Sequence, residues 1–106
     1  MDTLTRLEST IAARRAAPSE GSYVAQLTAR GVPVMARKLG EEGVETVIAA
    51  LSGTRAELVG EAADLMFHLM VLLAAKDIAL SEVFGELDRR EGTSGLVEKA
   101  SRSGND

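Results

Sequence analysis

Two stretches of the chain concentrate acidic side chains at spacings that place them on one face of a helix. The first contains Glu41, Glu42 and Glu45, and the second contains Glu57, Glu61, Asp64 and His68. At about 100° per residue, the first three carboxylates fall within an arc of about 100°, which Lys38 shares. The second series follows i, i+4, i+7 and i+11 and occupies an arc of about 60°. Each stretch therefore predicts a helix with one acidic seam beside apolar residues.

The two predicted helices are separated by a loop of about three residues, and so short a connection makes them antiparallel neighbours. Their acidic seams then face each other, and each pair of carboxylates about 5 Å apart repels by roughly 3 kcal/mol at an effective dielectric of about 20. A divalent cation relieves this repulsion, and carboxylate oxygens favour Mg²⁺ or Mn²⁺ over zinc. The competing interpretation is a solvated acidic face, but the acids border the apolar stripe rather than oppose it. His68 alone is more typical of a hydrogen-bonded core histidine than of a metal ligand.

The remaining periodicity and punctuation predict an all-α domain of four or five helices. Helices are expected over residues 2–16, 23–30, about 34–51, about 55–76 and 81–90. Ser22, Thr54 and Ser81 are the expected N-caps, and Glu57 completes a capping box with Thr54. We expect a single domain over residues 1–106, in which residues 92–106 form a polar C-terminal tail.

The fourth predicted helix is apolar nearly all round. From Leu65 to Ala75, His68 is its one polar residue, whereas an amphipathic surface helix would have a polar face. A chain of 106 residues has too few other helices to cover such a helix on every side. We therefore expect a bundle-like helical domain that is completed by homodimerisation, with the second chain packed on this fourth helix.

Composition excludes several classes of protein. The chain has 16 acidic and 12 basic side chains, a formal net charge of -4 and no cluster of Lys and Arg, which argues against binding nucleic acid through its phosphates. The lack of Cys excludes thiolate zinc sites and Cys nucleophiles, and a single His excludes a two-His metal site within one chain. No apolar run reaches the ~18 residues that span a bilayer, and no signal sequence is recognisable. A cytoplasmic protein without a membrane partner is expected.

The two acidic motifs carry a resemblance to a known family. With Lys38-Leu-Gly-Glu41-Glu42-Gly-Val-Glu45 and Glu61-Ala-Ala-Asp64, the chain resembles the phosphoribosyl-ATP pyrophosphatases of histidine biosynthesis. These enzymes belong to an all-α nucleoside triphosphate pyrophosphatase superfamily with an EExxE…ExxD pattern, which alone indicates only the superfamily. Gly21-Ser22-Tyr23 and residues 94–102 indicate the histidine-pathway branch, and the similarity covers almost the whole chain. Gly43 departs from the pattern, which usually has Ala or another good helix former there, at roughly 1 kcal/mol of helix propensity.

The resemblance implies Mg²⁺-dependent cleavage of phosphoribosyl-ATP between its α- and β-phosphates, which yields phosphoribosyl-AMP and pyrophosphate. It assigns metal binding to four carboxylates, those of Glu42, Glu45, Glu61 and Asp64. Glu41 occupies the remaining acidic position of the motif, and either Glu41 or Glu45 is the group that accepts a proton from the attacking water. The implied assembly is a homodimer or a dimer of dimers.

Acids that bind a metal do not by themselves hold a nucleotide with several negative charges. Lys38 lies on the same helix face as the first acidic motif and is expected to contact phosphate. The tail supplies further candidates for closing over the substrate: Ser94, Gly95, Lys99, Ser101 and Arg102. Two other functions stay open, a general pyrophosphatase for non-standard NTPs or dNTPs and a non-catalytic helical dimer that binds a metal or a partner protein.

Overall fold

The computed structural model describes residues 2–18, 20–92 and 95–102, and every regular element within them is an α-helix. The helices are α1 (Thr3–Arg15), α2 (Tyr23–Arg30), α3 (Val32–Ser52), α4 (Arg55–Ala75), α5 (Leu80–Arg90) and α6 (Gly95–Ser101). The all-α prediction is confirmed. The expected count of four or five helices is too low, because part of the predicted polar tail forms α6. This segment contains Leu, Glu, Lys and Ala, all of which are good helix formers.

The side chains of Ser22 and Thr54 cap the N-termini of α2 and α4, as the sequence predicts. Ser22 Oγ accepts a hydrogen bond from the Ala25 amide at 3.2 Å. Thr54 Oγ1 accepts from the Glu57 amide at 3.1 Å, and the Thr54 amide donates to Glu57 Oε1 at 3.2 Å. The expected capping box is therefore confirmed, and it satisfies amides that have no partner within the helix.

The start of α5 differs from the prediction. The helix begins at Leu80, and Ser81 is not its N-cap. The Leu80 amide donates to Glu8 Oε2 at 2.7 Å, and the Ala79 amide donates to Glu82 Oε2 at 2.8 Å. Part of the cap therefore comes from α1, at a sequence separation of 72 residues, which no local pattern reveals.

The α3–α4 hairpin is the main structural unit of the chain. Each helix has 21 residues, and Gly53 and Thr54 alone connect them, so the two helices run antiparallel and pack along their length. α3 begins at Val32, earlier than the predicted start, because Pro33 in the first turn needs no amide hydrogen there. The hairpin thus places the two acidic seams side by side.

The buried core joins α1, α2 and α4 with the beginning of α3 and of α5. Its side chains are those of Ile11, Val24, Leu27, Met35, Met70, Val71 and Leu80. The apolar stripe of α3, however, is exposed over four residues: Val44, Val47, Ile48 and Leu51 retain between 56% and 82% of their surface. We call these four residues the apolar face of α3. The other residues that the structure describes do not cover them.

In the part of the chain that the structure describes, α4 is long and apolar enough to cross a membrane by length and composition alone. Core helices of soluble proteins satisfy the same two conditions, so the signal is weak. α4 packs against α3 and carries partly buried Glu61 on the helix. A partly buried carboxylate on that helix fits packing against other helices of the protein better than a lipid environment.

Candidate functional site

A threonine in the middle of the hairpin contacts the backbones of both of its helices. Thr46 Oγ1 lies 2.7 Å from the Glu42 carbonyl oxygen and 3.3 Å from the Glu61 carbonyl oxygen. The first contact is the local bond that threonine often makes within a helix, whereas the second crosses from α3 to α4. Thr46 could not be predicted from the sequence. Its local bond is common to threonines in helices, and its second partner depends on how α3 and α4 pack.

Three carboxylates converge beside this threonine. Glu42, Glu45 and Glu61 each offer an oxygen atom, and these oxygens all lie within 4.8 Å of one another. Glu42 and Glu61 are partly buried between the helices, whereas Glu45 is exposed. We call these three residues the carboxylate cluster. Its members come from both helices, as the facing seams predict.

Two oxygens of the carboxylate cluster lack a partner. Glu42 Oε2 and Glu61 Oε2 are buried, and neither accepts a hydrogen bond from the described protein atoms. Buried carboxylate oxygens without a partner are costly, so a cation at this position would relieve both. The donors are all oxygens, which suits a hard divalent ion such as Mg²⁺.

The electrostatics of the cluster reflect the same crowding. Burial, followed by the adjacent Glu45 carboxyl and the charges of Asp64 and Glu61, raises the pKa of Glu42 to about 7. Burial also raises the pKa of Glu61, again with contributions from Glu45 and Asp64. Each shift has the sign expected when a carboxylate loses water and gains like-charged neighbours.

The other two acids of the predicted motifs lie outside the cluster. Asp64 is exposed, yet it is near enough for its charge to raise the pKa of Glu42 and of Glu61. Glu41 forms ion pairs with Arg37 at 3.7 Å and with Lys38 at 3.5 Å. The structure therefore brings together three of the four predicted metal ligands. The fourth, Asp64, lies near the cluster but outside it, and Glu41 is paired with two basic side chains.

The residues predicted to contact the substrate lie in two separate parts of the chain, on α3 and in the C-terminal segment. Lys38 is one-third exposed and pairs with Glu41, next to the acidic motif of α3. Gly95 begins α6, and Lys99 lies in its last turn with an exposed side chain. Ser101 ends α6, and Arg102 follows it, its amide donating to the Lys99 carbonyl oxygen at 3.3 Å. Ser94 lies outside the described residues.

A cleft of about 230 Å³ opens next to the cluster, toward the hairpin connection. Glu45 and Glu61 line one end, and Ser52 and Gly53 line the other. A second, more apolar cavity of about 280 Å³ lies between α1, α4 and the start of α5, and no member of the carboxylate cluster lines it. The cleft is thus the cavity that adjoins the candidate chemistry.

His68 follows the acidic seam of α4 toward the C-terminal end. It is buried, and its Nδ1 lies 2.9 Å from the Asp64 carbonyl oxygen, while its Nε2 lies 3.0 Å from the Tyr23 hydroxyl. The interpretation as a hydrogen-bonded core histidine is confirmed. Both ring nitrogens are engaged, so neither is directed at a metal.

The fold and the site together define an all-helical protein with a candidate divalent-metal centre on an antiparallel helical hairpin. The sequence model of the family described as phosphoribosyl-ATP pyrophosphohydrolase matches residues 4–91, and the chain belongs to this family. The resemblance inferred from the two acidic motifs is therefore confirmed.

Curated relatives agree with the family match over nearly their full length. A phosphoribosyl-ATP pyrophosphatase of Novosphingobium aromaticivorans is 66% identical over 102 residues, which are 96% of this chain and 95% of the relative. The protein of the same name from Erythrobacter litoralis is 65% identical, with 96% and 98% covered. That from Dinoroseobacter shibae is 56% identical, with 96% and 100% covered.

Proposed function

We propose that this chain hydrolyses phosphoribosyl-ATP between its α- and β-phosphates, releasing phosphoribosyl-AMP and pyrophosphate, at an early step of histidine biosynthesis. The observation that carries the proposal is the carboxylate cluster, in a chain that belongs to the phosphoribosyl-ATP pyrophosphohydrolase family. We take residues 1–106 to act as one domain, and we infer a cytoplasmic location because the relatives are named phosphoribosyl-ATP pyrophosphatase, an activity that we assign to histidine biosynthesis.

Glu42, Glu45 and Glu61 would hold Mg²⁺, or Mn²⁺ in its place, and Asp64 is the fourth candidate ligand. The unpartnered buried oxygens of Glu42 and Glu61 support this assignment. When bound, a divalent ion neutralises phosphate charge and lowers the pKa of a coordinated water. The protein residues would supply the geometry, and the Thr46 hydroxyl contacts the α3 and α4 backbones beside the cluster.

Glu45 is the better of the two candidates for accepting a proton from the attacking water. It belongs to the cluster and is exposed, so water can reach its carboxylate. Glu41 lies outside the cluster and pairs with Arg37 and Lys38 instead. Lys38 would contact a phosphate oxygen, and the tail residues Ser94, Gly95, Lys99, Ser101 and Arg102 would close over the substrate.

A second copy of the chain would cover the apolar face of α3. The accessible surface of 7236 Å² exceeds the roughly 5,700 Å² expected for a monomer of this mass. The radius of gyration of 15.9 Å likewise exceeds the value of about 13 Å for a compact domain of this length. The excess surface is of the size that a stable dimer buries, about 800 Å² or more per partner. A homodimer, alone or paired into a dimer of dimers, is therefore proposed.

Pyrophosphate release tests this function. The purified protein with Mg²⁺ is assayed on phosphoribosyl-ATP beside a panel of standard and non-standard NTPs and dNTPs. Turnover confined to phosphoribosyl-ATP supports the proposal. Comparable turnover of the panel would assign a general nucleotide pyrophosphatase instead. If neither turnover nor calorimetric heat of Mg²⁺ and nucleotide binding is detected, the chain is a non-catalytic helical module.

A further inference from the structure

Tyr23 and His68 form a hydrogen-bonded pair beside the acidic seam of α4, and the proposed reaction gives neither of them a role. His68 is 6% exposed, and its Nδ1 lies 2.9 Å from the Asp64 carbonyl oxygen. A carbonyl oxygen can only accept, so Nδ1 carries the hydrogen. In the neutral imidazole Nε2 then accepts, and the Tyr23 hydroxyl, 3.0 Å away, donates to it.

The Tyr23 ring is held in place by its neighbours. It stacks on Phe67 with ring centres 6.1 Å apart. It also lies nearly perpendicular to the His68 ring, with ring centres 5.8 Å apart. Ser22, which caps α2, fixes the backbone immediately before it. Tyr23 nevertheless remains 47% exposed. Because the hydroxyl hydrogen is directed at His68, the oxygen presents only lone pairs elsewhere, which makes it an acceptor at a fixed position.

This acceptor lies along the same seam as the carboxylate cluster. His68 follows Glu61 by seven residues on one helix face, which is about 10 Å along the axis of α4. A nucleotide whose phosphates bind at the cluster, and which extends from there toward the C-terminal end of α4 and away from the cleft at the hairpin connection, brings a sugar to this level. Phosphate oxygens are acceptors and would be repelled by the lone pairs of Tyr23, whereas a sugar hydroxyl can donate to them.

We propose that Tyr23, oriented by His68 as a hydrogen-bond acceptor, binds a sugar hydroxyl of the substrate. The inference rests on the proposed hydrolysis of phosphoribosyl-ATP. Tyr23 is then a specificity-determining contact, and His68 is its positioning residue. The pair also explains why a buried polar ring stands within the most apolar stretch of α4.

Steady-state pyrophosphate release from phosphoribosyl-ATP by four proteins tests the pair: wild type, Tyr23→Phe, His68→Leu and the double variant. Tyr23→Phe keeps the ring and its packing and removes only the hydroxyl. The expected result is a KM about 3- to 10-fold higher with kcat within about twofold of wild type. In the Tyr23→Phe background, His68→Leu should raise KM by less than it does in wild type. His68→Gln retains an acceptor, so its KM should lie closer to wild type than that of His68→Leu.

Substrate analogues that lack the 2′- or the 3′-hydroxyl of the ATP ribose identify the group. The KM penalty of Tyr23→Phe should vanish with the analogue that lacks the recognised hydroxyl. A penalty that persists with both analogues supports the contact and assigns it to the second sugar. An unchanged KM in Tyr23→Phe, or a loss of kcat alone, overturns the inference, even if His68→Leu does not fold. Absence of turnover by the wild type would instead overturn the proposed function, so the two failures are distinguishable.

Discussion

The carboxyl of Glu42 shows how closely the acids of this chain are placed. Its pKa is raised to about 7 by burial and by Glu45, Asp64 and Glu61, while its ordinary value is 4.5. The folded, metal-free protein therefore retains a proton that the unfolded chain loses at lower pH. Repulsion that sets in when this proton leaves opposes folding, so a metal-free site lowers stability at neutral pH.

This shift predicts a pH dependence of the free energy of unfolding. Because the folded-state pKa is raised, the contribution of Glu42 should fall as the pH rises from 4.5 to about 7 and stay constant above. Denaturant unfolding in EDTA between pH 4.5 and about 7 measures the free energy of unfolding of wild type and of Glu42→Gln. The variant is the reference because its residue 42 does not titrate. Wild type should lose stability relative to Glu42→Gln as the pH rises. A constant difference between the two proteins would contradict the crowding of the cluster.

Thr46 provides a second prediction for a single residue. Thr46→Val keeps the side-chain shape but removes the hydroxyl that reaches Glu42 and Glu61. We expect a loss of about 1 kcal/mol in unfolding free energy and a several-fold loss of Mg²⁺-dependent turnover. Thr28→Val is the matched control, because Thr28 makes the same local bond to Val24 on α2. Equal turnover in both variants would show that the hydroxyl of Thr46 does not position the cluster.

Two glycines of the hairpin differ in whether the structure has room for a side chain: Gly43 within α3 and Gly53 in the connection before α4. A Cβ on Gly43 would meet nothing within 4 Å, whereas a Cβ on Gly53 would lie 2.9 Å from the Ala49 carbonyl oxygen. Gly43→Ala should therefore raise the unfolding free energy by roughly 1 kcal/mol, and Gly53→Ala should lower it. Thermal unfolding of the two variants measures this. A Gly43→Ala protein less stable than wild type would mean that the site needs the glycine.

The elements show what sequence periodicity reveals and what it misses. The hairpin, the capping box of α4 and the cap of α2 follow from local spacing, and the structure has all three. The cap of α5 could not be predicted, because Glu8 reaches Leu80 across the whole fold. In the same way, helix phase places Glu41 and Glu42 on neighbouring faces, but only the packing of α4 decides which of them joins Glu61.

At the scale of the whole molecule, the apolar face of α3 is exposed in the part of one chain that the structure describes. Leu51 is 82% exposed, and its replacement by Glu would place a charge in the proposed dimer interface. Leu51→Glu should therefore reduce the mass in solution from at least twice the chain mass of 11.2 kDa toward that of one chain. Light scattering after size exclusion measures it, and Ala13→Glu on the exposed surface of α1 is the control. A wild-type protein of single-chain mass would contradict the dimer.

The proposed hydrolysis requires the carboxylate cluster to bind a divalent ion. The direct measurement is Mg²⁺-dependent pyrophosphate release from phosphoribosyl-ATP by Glu61→Gln, compared with Glu82→Gln. Glu82 lies on α5, outside the cleft beside the cluster, and Gln keeps an oxygen that can accept from the Ala79 amide. We expect turnover at least about 100-fold lower in Glu61→Gln, with near-normal turnover in Glu82→Gln and both proteins folded. Wild-type turnover in Glu61→Gln would show that hydrolysis needs no ion held by the Glu61 carboxylate.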